Sequence, residues 1–475
     1  MASGKSQRPA ALALLLAALI TLPLADSLFQ IPIQVSDSLE PIVIGARYPS
    51  SWSLLADSAQ FSSTTFRPMR YEQARWLLRS AAATGLTFNA VFRAVHVLLL
   101  VMLVLLFLLA IRVQRWIDVA AFAVAFPVLI GIHTFAAMLQ EAFPVNHFAE
   151  VGVCALAVFV LAQQRPKWFF PALVCVLLAF ALSVIESGAM VWVVAICSAA
   201  AGMRGMTRSS VVAATAVLGV YLLVRHALDI SSPGIGGHGS GFGGTFYSPE
   251  ELTQRFGAHP LGFIAYNVAG GLASLLVSEP RQGVYRLAIA WKTGGPHPVL
   301  IINLVSSIAT TALIVWYGVT HLRVRRAAWS DTDRMFVVAG AVMVVNAALN
   351  AAYIKDEIIS VGGLFYAVAA FIAVRALLET IPQRRVVASA LIALFLMADA
   401  GLWAFRAAGV HYVLRYDAFK TRNDWIEVLR PDKRDEWPTD PQELAITRRI
   451  RDEVILRSVA SPSFMPRWAD RYWVE

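Results

Sequence analysis

Residues 91–111 read VFRAVHVLLLVMLVLLFLLAI, and past His96 the run holds no ionisable side chain before Arg112. A helix rising ~1.5 Å per residue needs roughly 20 such residues to cross about 30 Å of hydrocarbon. Comparable stretches lie near 10–26, 117–138, 148–163, 168–186, 188–203, 209–224, 298–320, 335–353, 358–378 and 386–406. The sequence therefore predicts an all-α polytopic membrane protein with about 11 transmembrane helices. Composition agrees, because 58% of the 475 residues are hydrophobic and 15% charged. Soluble domains run nearer 45–50% apolar and about 25% charged, so a normal core could not absorb this surface.

The 40 Lys+Arg exceed the 31 Asp+Glu by nine. The excess sits beside the apolar runs, where it orients spans, and so points to topology and not to nucleic acid. Lys5 and Arg8 precede the first run, which predicts a cytoplasmic amino terminus. Alternation then places Arg112 and Arg115, Arg165 and Lys167, Arg204 and Arg208, Arg323, Arg325 and Arg326, and Arg384 and Arg385 inside. Five short loops obey one orientation. The first run is read as an uncleaved anchor, since Ala25 after Pro23-Leu24 makes a poor cleavage site. Residues 261–278 are long enough to cross, but a crossing there would reverse the later loops. They are read as a re-entrant or surface helix leading into an amphipathic piece at 284–291. Cys154, Cys175 and Cys197 lie inside apolar runs without metal-ligand spacing and are packing residues.

This topology leaves three polar regions outside: 28–90 as a large first outer loop with interfacial helices, 225–297, and a tail at 407–475. The tail carries 12 basic and 12 acidic residues, the pattern of a small solvated helical cap. The division is thus a membrane domain over 1–406 and an extracytoplasmic segment over 407–475. The inner loops are short, and no G-x-x-x-x-G-K-[ST] occurs anywhere. Chemistry is expected on the outer face or within the membrane.

Candidate residues gather in the first loop. Asp37 and Glu40, in QVSDSLEP at 34–41, can share one face of a helical turn. Near the bilayer such a pair suits a general base or a metal ligand. It equally suits a helix start, with Ser36 or Asp37 as cap and Glu40 as capping-box partner. Arg67 and Arg70, followed by Arg75 and Arg79, run against the usual charge bias of an outer loop. Guanidinium forks match phosphate geometry, while an interfacial helix at 71–83 with Trp76 would use them as headgroup anchors. Glu141, His147 and Glu150 form a polar outer connection, and His133 lies further in. Glu186 interrupts a long apolar stretch as a site residue or an interfacial hairpin charge. Lys355 heads Lys-Asp-Glu on another outer connection and can meet a phosphate or a local acid. His96 and His133 also read as packing histidines. Asp399, Asn346 and Asn350 are suited to bonds between helices. The glycine-rich stretch 232–244 follows no strand and reads as a linker or a mobile loop, with Ser248-Pro249 starting a helix behind it.

With these motifs assembled, the chain resembles the GT-C class of polytopic glycosyltransferases, the superfamily of protein O-mannosyltransferases and related lipid-linked sugar transferases. The likeness rests on an amino-terminal span leading to acids soon after the membrane (Asp37, Glu40) and on Phe66-Arg67-Pro68 with Phe92-Arg93-x-x-His96. It rests also on Ser183-Val-Ile-Glu186-Ser187, which looks like the family's "SKE" element with Val-Ile in place of the usual lysine context. It extends over about residues 10–400, mostly in architecture. The resemblance implies a polyprenyl-phosphate sugar donor, an extracytoplasmic glycan, lipid or protein acceptor, and surrounding membrane lipids. A bacterial inner membrane is the expected location, because the chain is compact and lacks organelle-retention signals. It implies Asp37 as base with Glu40 as its nearest substitute, and Arg67 and Arg70 on the donor phosphate. A divalent metal at the first-loop acid is left open. Two other classes compete: a transporter or lipid flippase, and a non-catalytic assembly subunit.

Overall fold

A computed structural model describes residues 4–35, 38–61, 65–140, 147–230, 248–257, 260–277, 290–295, 298–323, 328–349, 351, 356–381 and 385–456. Every regular element among them is a helix. The protein is an all-α membrane protein. Seven of its described helices are long and apolar enough to cross a bilayer, or eight if one bent pair counts as a single span.

The chain opens with α1 (Gly4–Gln30), then α2 (Leu39–Arg47), α3 (Ser51–Asp57) and α4 (Pro68–Thr84). The long run quoted above becomes α5 (Phe88–Ile111). Next come α6 (Trp116–Gly131), α7 (His133–Gln140), α8 (His147–Ala162), α9 (Phe170–Val184), α10 (Ala189–Ala200) and α11 (Arg208–Ala227). The second half has α12 (Pro249–Phe256), α13 (Pro260–Leu276), α14 (Pro298–His321), α15 (Asp331–Leu349), α16 (Ser360–Glu379), α17 (Val386–Glu427) and α18 (Pro441–Ile455). At the centre stands α16, packed against α15, α14, α6, α7 and α8. It is apolar on every side, which is why 89% of its most apolar window is buried.

Five sequence runs differ from simple spans. The run 117–138 is broken, with α6 and α7 meeting at 58°. Pro127 removes one amide from the α6 ladder, and Ile132 turns extended (φ −70°, ψ 132°). The runs at 148–163, 168–186 and 188–203 become helices of 16, 15 and 12 residues, because Glu186 ends α9 and a 3-10 turn over Glu186–Gly188 follows. A Cβ on Gly188 would overlap the backbone of Ala181, so only glycine lets this turn close. The run at 386–406 is the first half of a 42-residue helix. At ~1.5 Å per residue it is about 63 Å long, twice a bilayer.

The surplus length of α17 is used. Its second half docks on the first loop: Trp425 Nε1 donates to the Ile33 carbonyl at 2.7 Å, Arg415 meets Asp26 at 2.7 Å, and His411 bonds Ser27 at 2.8 Å. Beyond it, α18 packs on α2 and α5. The tail and the first loop therefore share one end of the bundle, called here the α4 end. The opposite end gathers the basic connections, with Arg115 on Glu379, Arg204 near Asp331 and Arg112 on the Gln163 carbonyl. The helix α13 starts near the α4 end, where Asn267 donates to the Ala351 carbonyl. It stops partway down, with Thr311 of mid-α14 bonded to the Leu276 carbonyl.

A polar seam runs inside the bundle. Arg406 is buried and donates to the carbonyls of Gly131 and Asn303, both at 3.1 Å, and to the hydroxyls of Ser306 and Ser307, both at 2.9 Å. Its guanidinium lies 4.0 Å from the Trp403 ring centroid, and Asp399 accepts from Thr310 at 3.0 Å. Arg406 thus supplies a donor to the carbonyl freed at the α6–α7 break. Replacing it with methionine should cost about 3 kcal/mol by orphaning buried carbonyls. A marked drop in melting temperature in detergent is expected for R406M, and an unchanged melting curve would contradict the seam.

Candidate functional site

The site is built where α4 lies across the α4 ends of α8, α9 and α11. Pro68 occupies the first turn of α4, where its missing amide does no harm, and Arg67 is the N-cap residue. The face of α4 turned to the bundle carries Arg70, Gln73, Ala74 and Leu77 at helical spacing, while Trp76 on the opposite face is 66% exposed. The stretch expected as an interfacial helix, 71–83, is helical, longer by a few residues and seated on α5 and α9.

Arg67 reaches Glu186 twice, from Nε at 2.9 Å and from Nη2 at 2.6 Å. Arg225, in the last turn of α11, meets the other oxygen of Glu186 at 3.2 Å and also donates to the Tyr221 hydroxyl at 3.3 Å. One carboxylate at the α9–α10 turn therefore lies between two guanidiniums. Gln73 donates to Glu150 Oε1 at 2.5 Å, and His147 Nδ1 lies 3.2 Å from Glu150 Oε2. His147 and Glu150 are both buried although they open a membrane helix. Arg67, Arg70 and His96 all stand close enough to His147 to act on its charge. His96 itself is buried, bonded through Nδ1 to the Phe92 carbonyl, while its Nε2 and Gln73 Oε1 have no hydrogen-bond partner. Such atoms are costly to leave unpaired and suit a polar ligand.

The four arginines of the first loop divide by role. Arg67 and Arg70 face this cluster. Arg75 bonds Glu72 at 2.8 Å and also Ser51, and Arg79 caps the Pro49 carbonyl, so these two hold α3 against α4. Arg93, from the Phe-Arg motif, donates to the carbonyls of Ile31 at 2.6 Å and Pro32 at 2.9 Å, anchoring the exit from α1.

Of the other sequence candidates, Glu40 sits exposed in the first turn of α2, within electrostatic reach of Tyr71. The capping-box alternative for Glu40 is not realised: the N-cap is Ser38, which makes no side-chain cap bond, and Glu40 stands one position too early. Asp37, Glu141 and Lys355 lie outside the described residues. Among the described residues no three His, Cys, Asp or Glu side chains gather as metal donors, and His147 with Glu150 supplies only a pair. Sequence reading missed Arg225 and Gln73. Arg225 had a signal, an arginine closing an apolar run at the end where the charge bias disfavours it. Gln73 had none, because only the packing of α4 gives it a partner.

No known family, no curated protein and no solved structure matches this chain.

Outside the membrane helices, Glu72 is the clearest titrating group. Burial pushes its carboxyl up, but donation from Arg75 and Ser51 outweighs that and holds it below the ordinary value. A lowered folded value stabilises the α3–α4 contact above the unfolded pKa, near 4.3, and that contribution is lost as pH falls through the folded value. Amides of α3 should thus exchange progressively faster, after correction for intrinsic rates, as pH falls from neutral through the lowered value of Glu72. They should exchange fast already at neutral pH in Glu72→Gln. Equal protection in the variant would remove Glu72 from this role.

Proposed function

We propose that the protein is an integral membrane glycosyltransferase of GT-C type, moving a sugar from a polyprenyl-phosphate donor to an extracytoplasmic acceptor. The observation that carries this reading is the convergence of Arg67 and Arg225 on Glu186, with Arg70 beside them, under the first loop. A cationic cluster at the end of a lipid-facing bundle fits a phosphate whose tail must stay in hydrocarbon. The proposed topology has 11 crossings in a bacterial inner membrane, counting α8, α9 and α10 as short spans and α13 as re-entrant. The amino terminus is cytoplasmic and the α4 end, with the tail, faces outward. Its support is the collection of Arg112, Arg115 and Arg204 at the opposite end.

In the proposed reaction the donor tail lies between helices and its phosphate meets Arg67, Arg70 and Arg225. An acceptor hydroxyl attacks the anomeric carbon as the bond to the phosphate oxygen breaks. The hydroxyl proton passes to Asp37, with Glu40 as its nearest substitute, and polyprenyl phosphate leaves, inverting the anomeric centre. Phosphate binding draws on the same guanidiniums that Glu186 now engages, so donor binding and the Glu186 pairs compete. Glu150, His147 and Gln73 shape the floor of the site, and Lys355 is a further phosphate contact.

One observation favours a second reading, a transporter or flippase. The bent pair α6–α7, with Arg406 and Asp399 buried beside it, is the kind of interrupted helix on which intramembrane substrate sites are built.

Two experiments separate these. Asp37→Asn should lower sugar transfer at least a hundredfold, the scale of losing a general base, without changing the melting temperature. Full activity in that variant would exclude Asp37 as base. Native mass spectrometry of the wild type should find a polyprenyl phosphate or its glycoside, absent from the Arg67→Ala/Arg70→Ala double variant. Only bulk phospholipid in both samples would turn the assignment towards transport or assembly.

A further inference from the structure

At the end of the bundle opposite α4, four connections meet around a small cleft that opens to the surface. Arg112 comes from the end of α5, Gln163 from the end of α8, Arg204 from the α10–α11 turn, and Asp331 and Arg334 from the start of α15. Met203 and Met335 add apolar wall. Three guanidiniums face one carboxylate, so the cleft carries a net charge of two positive. That charge is held by backbone and not by acids. Arg112 donates to the Gln163 carbonyl, and Arg334 to the carbonyls of Gly202 and Trp329. Arg204 meets Asp331 only loosely, at 3.6 Å.

Two local features show that the chain is shaped around these side chains. Arg112 caps α5 in the left-handed region at φ 53°, a conformation that favours glycine, yet an arginine stands there. Gly202, at φ 78°, does the reverse: a Cβ on it would press within 2.8 Å of the Arg334 guanidinium. The amide of Gln163 supplies the independent sign of a missing ligand. Both its oxygen and its nitrogen are buried, and neither has a hydrogen-bond partner among the described residues. Unpaired polar atoms of this kind are ordinarily satisfied by something bound.

Depth in the membrane suggests what binds. Trp168, in the α8–α9 connection five residues past Gln163, is 92% exposed, and Trp116 at the start of α6 is also exposed at this end. Indoles presented this way mark the headgroup level of a bilayer. We propose that this cleft binds the phosphodiester of an anionic glycerophospholipid whose headgroup carries a hydroxyl, as in phosphatidylglycerol. The phosphate sits among Arg112, Arg204 and Arg334, which match it as forks. The Gln163 amide nitrogen donates to it, and the headgroup hydroxyl donates to Asp331 or to the Gln163 oxygen. A lipid so placed ties the ends of α5, α8 and α10 to the start of α15, on the face that the proposed topology turns to the cytoplasm. The site is separate from the cluster under α4 and does not depend on the enzymatic reading.

The full-length protein in nanodiscs of phosphatidylcholine doped with phosphatidylglycerol provides the test, with bound lipid read by native mass spectrometry after release. The wild type should retain phosphatidylglycerol at least tenfold over its bulk share. Arg204→Ala and Gln163→Leu should each cut that enrichment about tenfold, and Arg204→Lys should keep most of it. Arg204 is exposed and makes no backbone bond in this cleft, so its loss leaves the fold intact, which an unchanged melting curve in phosphatidylcholine alone would verify. Enrichment equal in wild type and both variants would overturn the site. Saturation of the cleft by inorganic phosphate alone, displacing the lipid at millimolar concentration, would overturn its assignment to a lipid.

Discussion

Hydrocarbon offers no hydrogen-bond partner, and nearly everything in this structure follows from that one constraint. Backbone amides and carbonyls must be satisfied within the chain, so the described elements are helices. Where the ladder is interrupted, the chain must bring a side chain to the vacancy. The α6–α7 break shows this most plainly, because Arg406 crosses from α17 to donate to the Gly131 carbonyl and then uses its remaining donors on α14. A cation at that depth is tolerated because carbonyl and hydroxyl oxygens and an indole face receive it. The same logic makes α16 apolar all round, since it has no side turned to water.

Polar chemistry is thereby driven to the ends, and the two ends are built differently. Under α4, acids and arginines meet directly, and Glu186 neutralises part of the charge that Arg67 and Arg225 bring. At the opposite end, Arg112 and Arg334 of the cleft lean on backbone carbonyls, which hold a guanidinium in place without cancelling its charge. The first arrangement can exchange one anion for another. The second keeps its positive charge, as the proposed lipid site requires.

The first loop owes its shape to residues hundreds of positions away. Trp425 and Arg415 hold the exit of α1, Glu453 approaches Asn89 at the start of α5, and Arg47 pairs with Glu443 at 3.5 Å. Because α17 is twice as long as a bilayer, its second half must stand beyond the membrane, and the first loop is the surface available there. The tail thus holds the start of the loop, while α4, the loop's own last helix, seats its end on the bundle.

Membrane character was readable from the sequence, because hydrophobic length and charge bias are local properties that each segment carries by itself. So were the individual ionisable residues at the span ends, since a charge inside an apolar run stands out wherever the chain later goes. Glu186, His147 and Glu150 were found this way, and Arg67 and Arg70 by running against the charge bias of an outer loop. Partnership was not readable: that Arg67 pairs with Glu186, that Arg225 and Gln73 join them, and that Arg75 and Arg79 turn to α3 instead depend on how α4 settles on α8, α9 and α11. The broken run at 117–138 and the overlong α17 were likewise invisible, because hydropathy sums over a window and carries no information about direction. Composition decides whether a segment leaves water; only packing between distant segments decides which polar atoms meet once it has.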